Sequence, residues 1–271
     1  DRYVNRVSAR SGFLFAQHEW TPRRWIEVVT GFRFDAHSDY ASRLSPRLAV
    51  LVRPAETYRL RASIGSGFKA PDFRQRYLVF TNAAAGYSVF GVTRFREELA
   101  RLQAEGQIAR LLIDSDRVTT LRPESSVAFN LGGEAAWFDE ALMLSLNLFH
   151  NEVRDLIDTQ PVAQKTNQAF VYSYFNLARI YTRGLEATLT ARPVSALALS
   201  LSYQYLETAD RDVLEAIDAG RLYGRTASGR DYRLRRSDYG GLFGRSRHSG
   251  TLQLRWQPTS LGLTVALRGV W

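Results

Sequence analysis

The chain has 271 residues, 45% hydrophobic and 23% charged, which is enough apolar material for a structured domain and too little charge for a disordered polyelectrolyte. It contains no apolar run of the roughly eighteen residues a transmembrane helix needs, which excludes a helical bundle in the membrane. The absence of cysteine removes disulfide frameworks, thiol catalysis and Cys-based metal sites. The formal charge is +9, and only Lys69 and Lys165 are lysines, so the 36 basic residues include 34 arginines. These are dispersed along every segment rather than gathered on one face or tail, so the charge does not point to nucleic acid as a partner. The chain opens at Asp1 with neither a basic n-region nor an apolar h-region, and any export signal is expected outside it.

The dominant local signal is alternation of apolar and polar residues, the period of a strand with two different faces. It predicts ten strands, at about 9–20, 25–36, 45–53, 56–67, 121–138, 141–154, 171–192, 196–209, 246–257 and 261–271. Tyr58, Leu60, Ala62 and Ile64 oppose Arg59, Arg61 and Ser63, and further along Phe129 and Leu131 oppose Asn130 and Glu134. Leu144, Leu146 and Leu148 oppose Ser145 and Asn147, and Leu199, Leu201 and Tyr203 oppose Ser200, Ser202 and Gln204. Leu261, Leu263, Val265 and Leu267 make the same stripe in the last segment.

Connections between the segments alternate in length. Those at 21–24, 53–55, 139–140, 192–195 and 257–260 are short, and four of the five contain proline. Those at about 37–44, 68–120, 155–170 and 210–245 are long and read as irregular. In an up-and-down antiparallel sheet every second connection lies at the same end, so one end carries tight turns and the other the large loops. Within those loops, Phe95, Leu99 and Leu102 keep helical spacing in the stretch 94–113, with a stop at Gly106, and Val213, Leu214 and Ile217 predict a second short helix before Gly220. Trp20, Trp25, Trp137, Phe138 and Trp256 cluster near the short turns, as an interfacial aromatic girdle would. A soluble β-sandwich would share the alternation; strand length and loop asymmetry favour a transmembrane barrel.

Several spaced motifs then carry a family resemblance. Ile64-Gly65-Ser66-Gly67-Phe68-Lys69-Ala70-Pro71 resembles the "GFRAP" box of TonB-dependent outer-membrane receptors, and Leu121-Arg122-Pro123-Glu124 resembles their "LkPE" strand entry. Asn147-Leu148-Phe149-His150-Asn151-Glu152, then Phe175-Asn176-Leu177 with Thr182-Arg183-Gly184-Leu185-Glu186, and finally Arg245-Ser246-Arg247-His248 follow in the family's order. The resemblance implies that residues 1–271 form one partial barrel domain in the bacterial outer membrane, all-β and up-and-down, with short helices in extracellular loops. It shows no plug domain, which the family holds inside a 22-stranded barrel, and is expected to be a fragment that would not insert alone as a transporter.

The resemblance also implies a role: uptake, energised by the TonB complex, of a large scarce nutrient such as a ferric siderophore or other metal chelate, with no cofactor and no enzymatic step. An Arg/Tyr-rich mouth of Arg74, Arg76, Tyr77, Tyr87, Arg94, Tyr223, Tyr232, Arg233, Arg235, Arg236 and Tyr239 is the expected capture surface, or else bridges lipopolysaccharide phosphates. Arg33, Asp35, Arg59, Arg61, Glu134, Glu186 and Arg255 are expected to face the lumen and plug. His18, His37, His150 and His248 are too dispersed for a metal site, and Asp114/Asp116 and Asp210/Asp212 lack the rest of a calcium loop. A passive porin and a soluble all-β binding module are the competing assignments.

Overall fold

The structure, a computed structural model, describes residues 7–177, 179–242, 244–258 and 262–271. In chain order its elements are β1 (Ser11–Arg23), β2 (Ile26–His37), β3 (Arg43–Ala55), β4 (Tyr58–Lys69), α1 (Phe73–Tyr77), β5 (Val79–Thr81), β6 (Ser88–Phe90), α2 (Phe95–Ala104) and β7 (Ile108–Leu111). There follow β8 (Glu124–Trp137), β9 (Leu142–Arg154), β10 (Leu156–Lys165), β11 (Phe170–Leu177), β12 (Ile180–Val194) and β13 (Leu197–Asp210). The last are α3 (Arg211–Asp218), β14 (Tyr223–Arg225), β15 (Asp231–Arg233), β16 (His248–Trp256) and β17 (Val265–Val270).

Ten strands form one antiparallel sheet in the order β1-β2-β3-β4-β8-β9-β12-β13-β16-β17, the expected up-and-down wall, open at β1 and β17. Its register holds one side-chain face across the whole width. One row runs Val50, Ala62, Leu131, Leu148, Leu185, Tyr205, and the row behind it on the opposite face runs Leu51, Arg61, Gly132, Asn147, Glu186, Gln204. A soluble sandwich would cover the first face with a second layer. Instead Leu60, Leu131 and Leu148 are 52%, 57% and 51% exposed, so the apolar side looks outward. Trp20, Tyr58, Trp137 and Trp256 end this face near the short turns, and Tyr181, Tyr203 and Tyr205 end it near the long loops. Two aromatic borders thus frame an apolar band.

Gly184, inside the Thr182–Glu186 motif, has a steric reason. A Cβ there would lie 2.0 Å from the Tyr205 carbonyl oxygen and 2.8 Å from the Phe149 ring, so only glycine lets β9, β12 and β13 close up.

The long connections are less irregular than their sequence suggests. The predicted strand 171–192 is two strands, β11 and β12, and the stretch 155–170 contains β10. β12 stays in the wall, while β10 and β11 join β5, β6 and β7 in a second sheet, ordered β5-β6-β11-β10-β7. The reason is length: at about 3.3 Å per residue a 22-residue strand far exceeds a bilayer crossing, so the chain breaks and its first part pairs above the membrane. Helix α2 ends as expected, with Gly106 at φ 68°, but the following Ile108–Leu111 is strand β7 rather than more helix. Helix α3 ends similarly at Gly220. Leu261 and the turn residues Thr259 and Ser260 lie outside the described residues.

Helix α2 seats Phe95, Leu99 and Leu102 against Phe90, Val162 and Val171, a small core that welds the second and third long loops into one unit. Glu98, only 2% exposed, sits in this helix with Arg101 Nε 3.0 Å and Arg94 Nη2 3.6 Å from its carboxylate. Lys165 is also buried; its Nζ donates to the Gly86 carbonyl at 2.9 Å, and burial, assisted by the charge of Arg101, pushes its ammonium below the usual lysine range.

Two outcomes follow for the full-length protein. Leu131→Arg, at mid-strand on the outward face, costs about 2–4 kcal/mol of stability in lipid vesicles, whereas Asn130→Arg on the opposite face costs less than about 1 kcal/mol; denaturant unfolding followed by tryptophan fluorescence measures both. Glu98→Ala leaves two guanidiniums without their shared partner and costs about 1–3 kcal/mol locally. Amide hydrogen exchange then speeds up in β6, β10 and β11 while β8, β9 and β12 keep their protection.

Candidate functional site

The motif residues meet where the long loops leave the wall. Lys69 of the glycine-rich box and Glu124 of the Leu121–Glu124 motif are register partners, with Nζ 3.0 Å from Oε1, and the same oxygen accepts from the Ile157 amide at 3.3 Å. Asn176 closes the joint: its Oδ1 accepts from the Arg122 amide at 2.7 Å, and its Nδ2 donates to the carbonyls of Arg122 (2.8 Å) and Asp155 (2.7 Å). Three separated motifs are therefore one structural knot. The glycines of Gly65-Ser66-Gly67 pair with β8 along a regular ladder.

Above this knot the expected capture residues fall into three neighbourhoods. Arg74, Arg76 and Tyr77 lie on α1, whose first turn is held by a capping box between Asp72 and Gln75. Arg76 pairs with Asp39 from the first long loop and packs over the rings of Tyr77 (4.8 Å) and Tyr40 (5.5 Å), so this guanidinium ties two loops together. The Ser38 hydroxyl, then Arg76, hold the Asp39 carboxyl below the usual carboxylate range.

Tyr87 belongs to the second neighbourhood, an aromatic groove of about 470 Å³ on the loop sheet. Its lining includes Tyr87, Val89, Phe170 and Tyr172 and no charged side chain, with Tyr87 edge-on to Tyr172 at 6.3 Å and Phe170 edge-on to Tyr172 at 6.2 Å. Tyr172 is concealed in the sequence because it sits inside the stretch 171–192, which reads as a membrane strand, and Phe170 because it ends a loop that reads as irregular. Arg94 also lies in this unit, but it faces Glu97 and Glu98 at the start of α2.

The third neighbourhood is the fourth long loop. Tyr232 is on β15 and partly exposed, Arg235 offers its backbone amide to Asp238, and the Tyr239 hydroxyl accepts from the Asp210 amide at 3.1 Å. Arg233 donates to the Ala219 carbonyl, and Arg236 is paired with Asp218. Of the carboxylates considered for calcium, two are caps, Asp210 Oδ1 accepting from the amides of Asp212 and Val213 and Asp114 Oδ1 from that of Asp116, while Asp116 and Asp212 pair with Arg96 (3.0 Å) and Arg179 (2.9 Å). Among the described residues no group of three metal-ligating side chains occurs.

On the wall, Arg33, Asp35, Arg59, Arg61, Glu134, Glu186 and Arg255 all share the polar face. Six charged residues, Glu27, Arg53, Arg59, Arg61, Glu134 and Glu186, line a concavity of about 840 Å³ on it. Glu134 lies between Arg61 (2.8 Å) and Arg59 (3.7 Å), and Glu27 pairs with Arg53 at 3.1 Å. Among the described residues Glu186 has only amide donors, Asn147 at 3.2 Å and Gln204 at 2.9 Å. Arg33 pairs with Asp35 higher up, and Arg255 lies across the sheet from this concavity.

Comparison with known proteins agrees with this architecture. The family model described as TonB dependent receptor-like, beta-barrel matches residues 1–271. An iron-regulated outer membrane virulence protein of Vibrio cholerae is 22% identical over 218 residues, which is 76% of this chain but 29% of that protein. Among solved structures, the siderophore receptor PirA of Pseudomonas aeruginosa superimposes with a TM-score of 0.63 at 17% identity, over 97% of this chain and 41% of its own. The ferric enterobactin receptor of the same species, solved with enterobactin bound, gives 0.62 at 21% identity over 97% of this chain and 32% of its own. The chain therefore spans less than a third of the Vibrio relative. The identities are low enough that these likenesses show the fold alone, while the family match covers every residue. The chain belongs to the TonB-dependent receptors, a family of bacterial outer-membrane receptors and not of enzymes, and supplies ten consecutive strands of the barrel.

Proposed function

We propose that the full-length protein takes up a ferric siderophore or similar metal chelate in a TonB-energised cycle, with this chain as wall and part of the mouth. The observation that carries the reading is the juxtaposition of two surfaces: a rigid, loop-built Arg/Tyr mouth above, and a charged polar wall below. Arg74, Tyr87, Tyr232 and Arg235 keep side-chain surface for a ligand, combining charge-assisted donors with stacking faces. Arg76, Tyr77, Arg94 and Tyr239 act as braces that hold those loops in place.

Arg33, Arg59, Arg61, Glu134, Glu186 and Arg255 face the bore in this reading and meet the plug. Mixed, mostly paired charge suits an interface that must release and re-form when the plug moves, because each group has a partner in water or on the wall once the plug departs. Glu186, held only by amides, is the wall's open acceptor for a cationic plug residue.

The test is iron-limited growth of a receptor-deletion strain complemented with the full-length gene and supplied with ferric enterobactin and other ferric siderophores. At least one chelate restores growth, and restoration vanishes in a strain lacking TonB; growth that persists without TonB would favour the porin alternative. Arg74→Ala with Tyr87→Ala weakens binding of the active chelate about tenfold or more, the loss of roughly 1.4 kcal/mol or above, measured by tryptophan quenching.

A further inference from the structure

One group of charged residues lies on the wrong face for a bore. His150, Arg183 and Glu207 are register neighbours on β9, β12 and β13, on the outward side, one row above Leu148, Leu185 and Tyr205. Glu152 and Tyr181 occupy the next row up. They sit where the apolar band gives way to the long loops, the level of lipid headgroups.

The cluster is built rather than scattered. Arg183 binds Glu207 side-on through Nε (3.2 Å) and Nη2 (2.8 Å), Arg211 binds Glu152 through the same two nitrogens, and Arg236 binds Asp218 likewise. In all three, Nη1 has no partner among the described residues. Tyr181 spaces them, with the guanidinium carbons of Arg211 and Arg183 at 5.1 and 5.3 Å from its ring and His150 stacked at 6.1 Å. These four basic residues line a polar cavity of about 300 Å³ together with Tyr181, Leu214 and Glu215, and Glu215 pairs with Arg179, which Asp212 shares. The stretch 211–247, which supplies Arg211, Leu214, Glu215 and Arg236 to this cavity, holds nine arginines against five acids. His150 also lines an apolar groove of about 510 Å³, together with Leu48, Ile64, Phe129, Leu131 and Leu148 on the outward face.

We propose that this pair of cavities binds one phosphorylated lipid of the outer leaflet, the phosphate held by the Nη1 donors of Arg183, Arg211 and Arg236 and an acyl chain laid in the groove beyond His150. The acids orient the guanidiniums and leave one edge of each free, an arrangement suited to a tetrahedral oxyanion. Acyl burial in the adjoining groove supplies what a free phosphate would lack, so the site distinguishes an anchored phosphate from a dissolved one. This assignment stands on the outward face of the barrel and is independent of the substrate taken up.

Native mass spectrometry of the delipidated full-length receptor in detergent tests it, titrating dioleoyl phosphatidic acid, dioleoyl phosphatidylcholine and inorganic phosphate in turn. The expected result is one tightly held phosphatidic acid, with phosphatidylcholine and inorganic phosphate each at least about tenfold weaker. Arg236→Gln, outside the wall, and the double variant Arg183→Gln/Arg211→Gln each lower phosphatidic acid affinity, the double variant about tenfold or more, while Leu148→Ala weakens it without restoring phosphatidylcholine binding. Heat-modifiable gel migration verifies the folded barrel of each variant. Unchanged retention by the folded Arg236→Gln protein, equal retention of phosphatidylcholine, or inorganic phosphate binding as tightly as the lipid would each overturn the proposal.

Discussion

Inside a hydrocarbon layer a peptide group has no water to bond, so its N–H and C=O must find partners in the protein. The ten-strand ladder is the answer to that constraint, and most of the molecule follows from it. Ladder pairing sets a two-residue period, the period sorts side chains onto two faces, and a register that stays in phase from β4 through β13 keeps each face chemically uniform. A slip of one residue would turn Leu131 inward and Glu134 toward lipid. Gly184 shows how tightly the ladder is drawn, because even a methyl group would strike the neighbouring backbone.

Where the ladder ends, the constraint lifts and a different architecture begins. The second and third long loops are released from the membrane, yet they do not become random connectors. They pair with each other, bury Phe95, Leu99 and Leu102 under one sheet, and are anchored by the Lys69–Glu124 and Asn176 contacts. The family motifs gather at this transition because it is the place where chain direction, loop packing and strand register must all agree.

Charge is used differently on each surface. On the polar wall Glu134 lies between Arg59 and Arg61 and pairs with both. On the outward rim, acids lock arginines into fixed orientations and leave an edge of each unoccupied. The same residue type is thus a brace in α1, where Arg76 joins Asp39, and an open donor on the rim.

The amino-acid sequence by itself determined the number of membrane strands, their alternating faces and the separation of tight turns from large loops, because period and length are local properties of the chain. It also marked helices α2 and α3 and their glycine stops, though not the short α1. What it could not settle was anything that depends on non-local pairing. The strand break between β11 and β12 hides inside one continuous alternating stretch, and the loop sheet exists only because Val171 finds Ser88 and Ala163 finds Leu111. Likewise alternation alone puts Arg183 on the face of Leu185 and Glu207 on that of Tyr205, but only the register of β12 on β13 makes the two residues partners. Tertiary structure decided these points because a side chain's face is local, while its neighbour across a strand is fixed by the pairing of residues far apart in the chain.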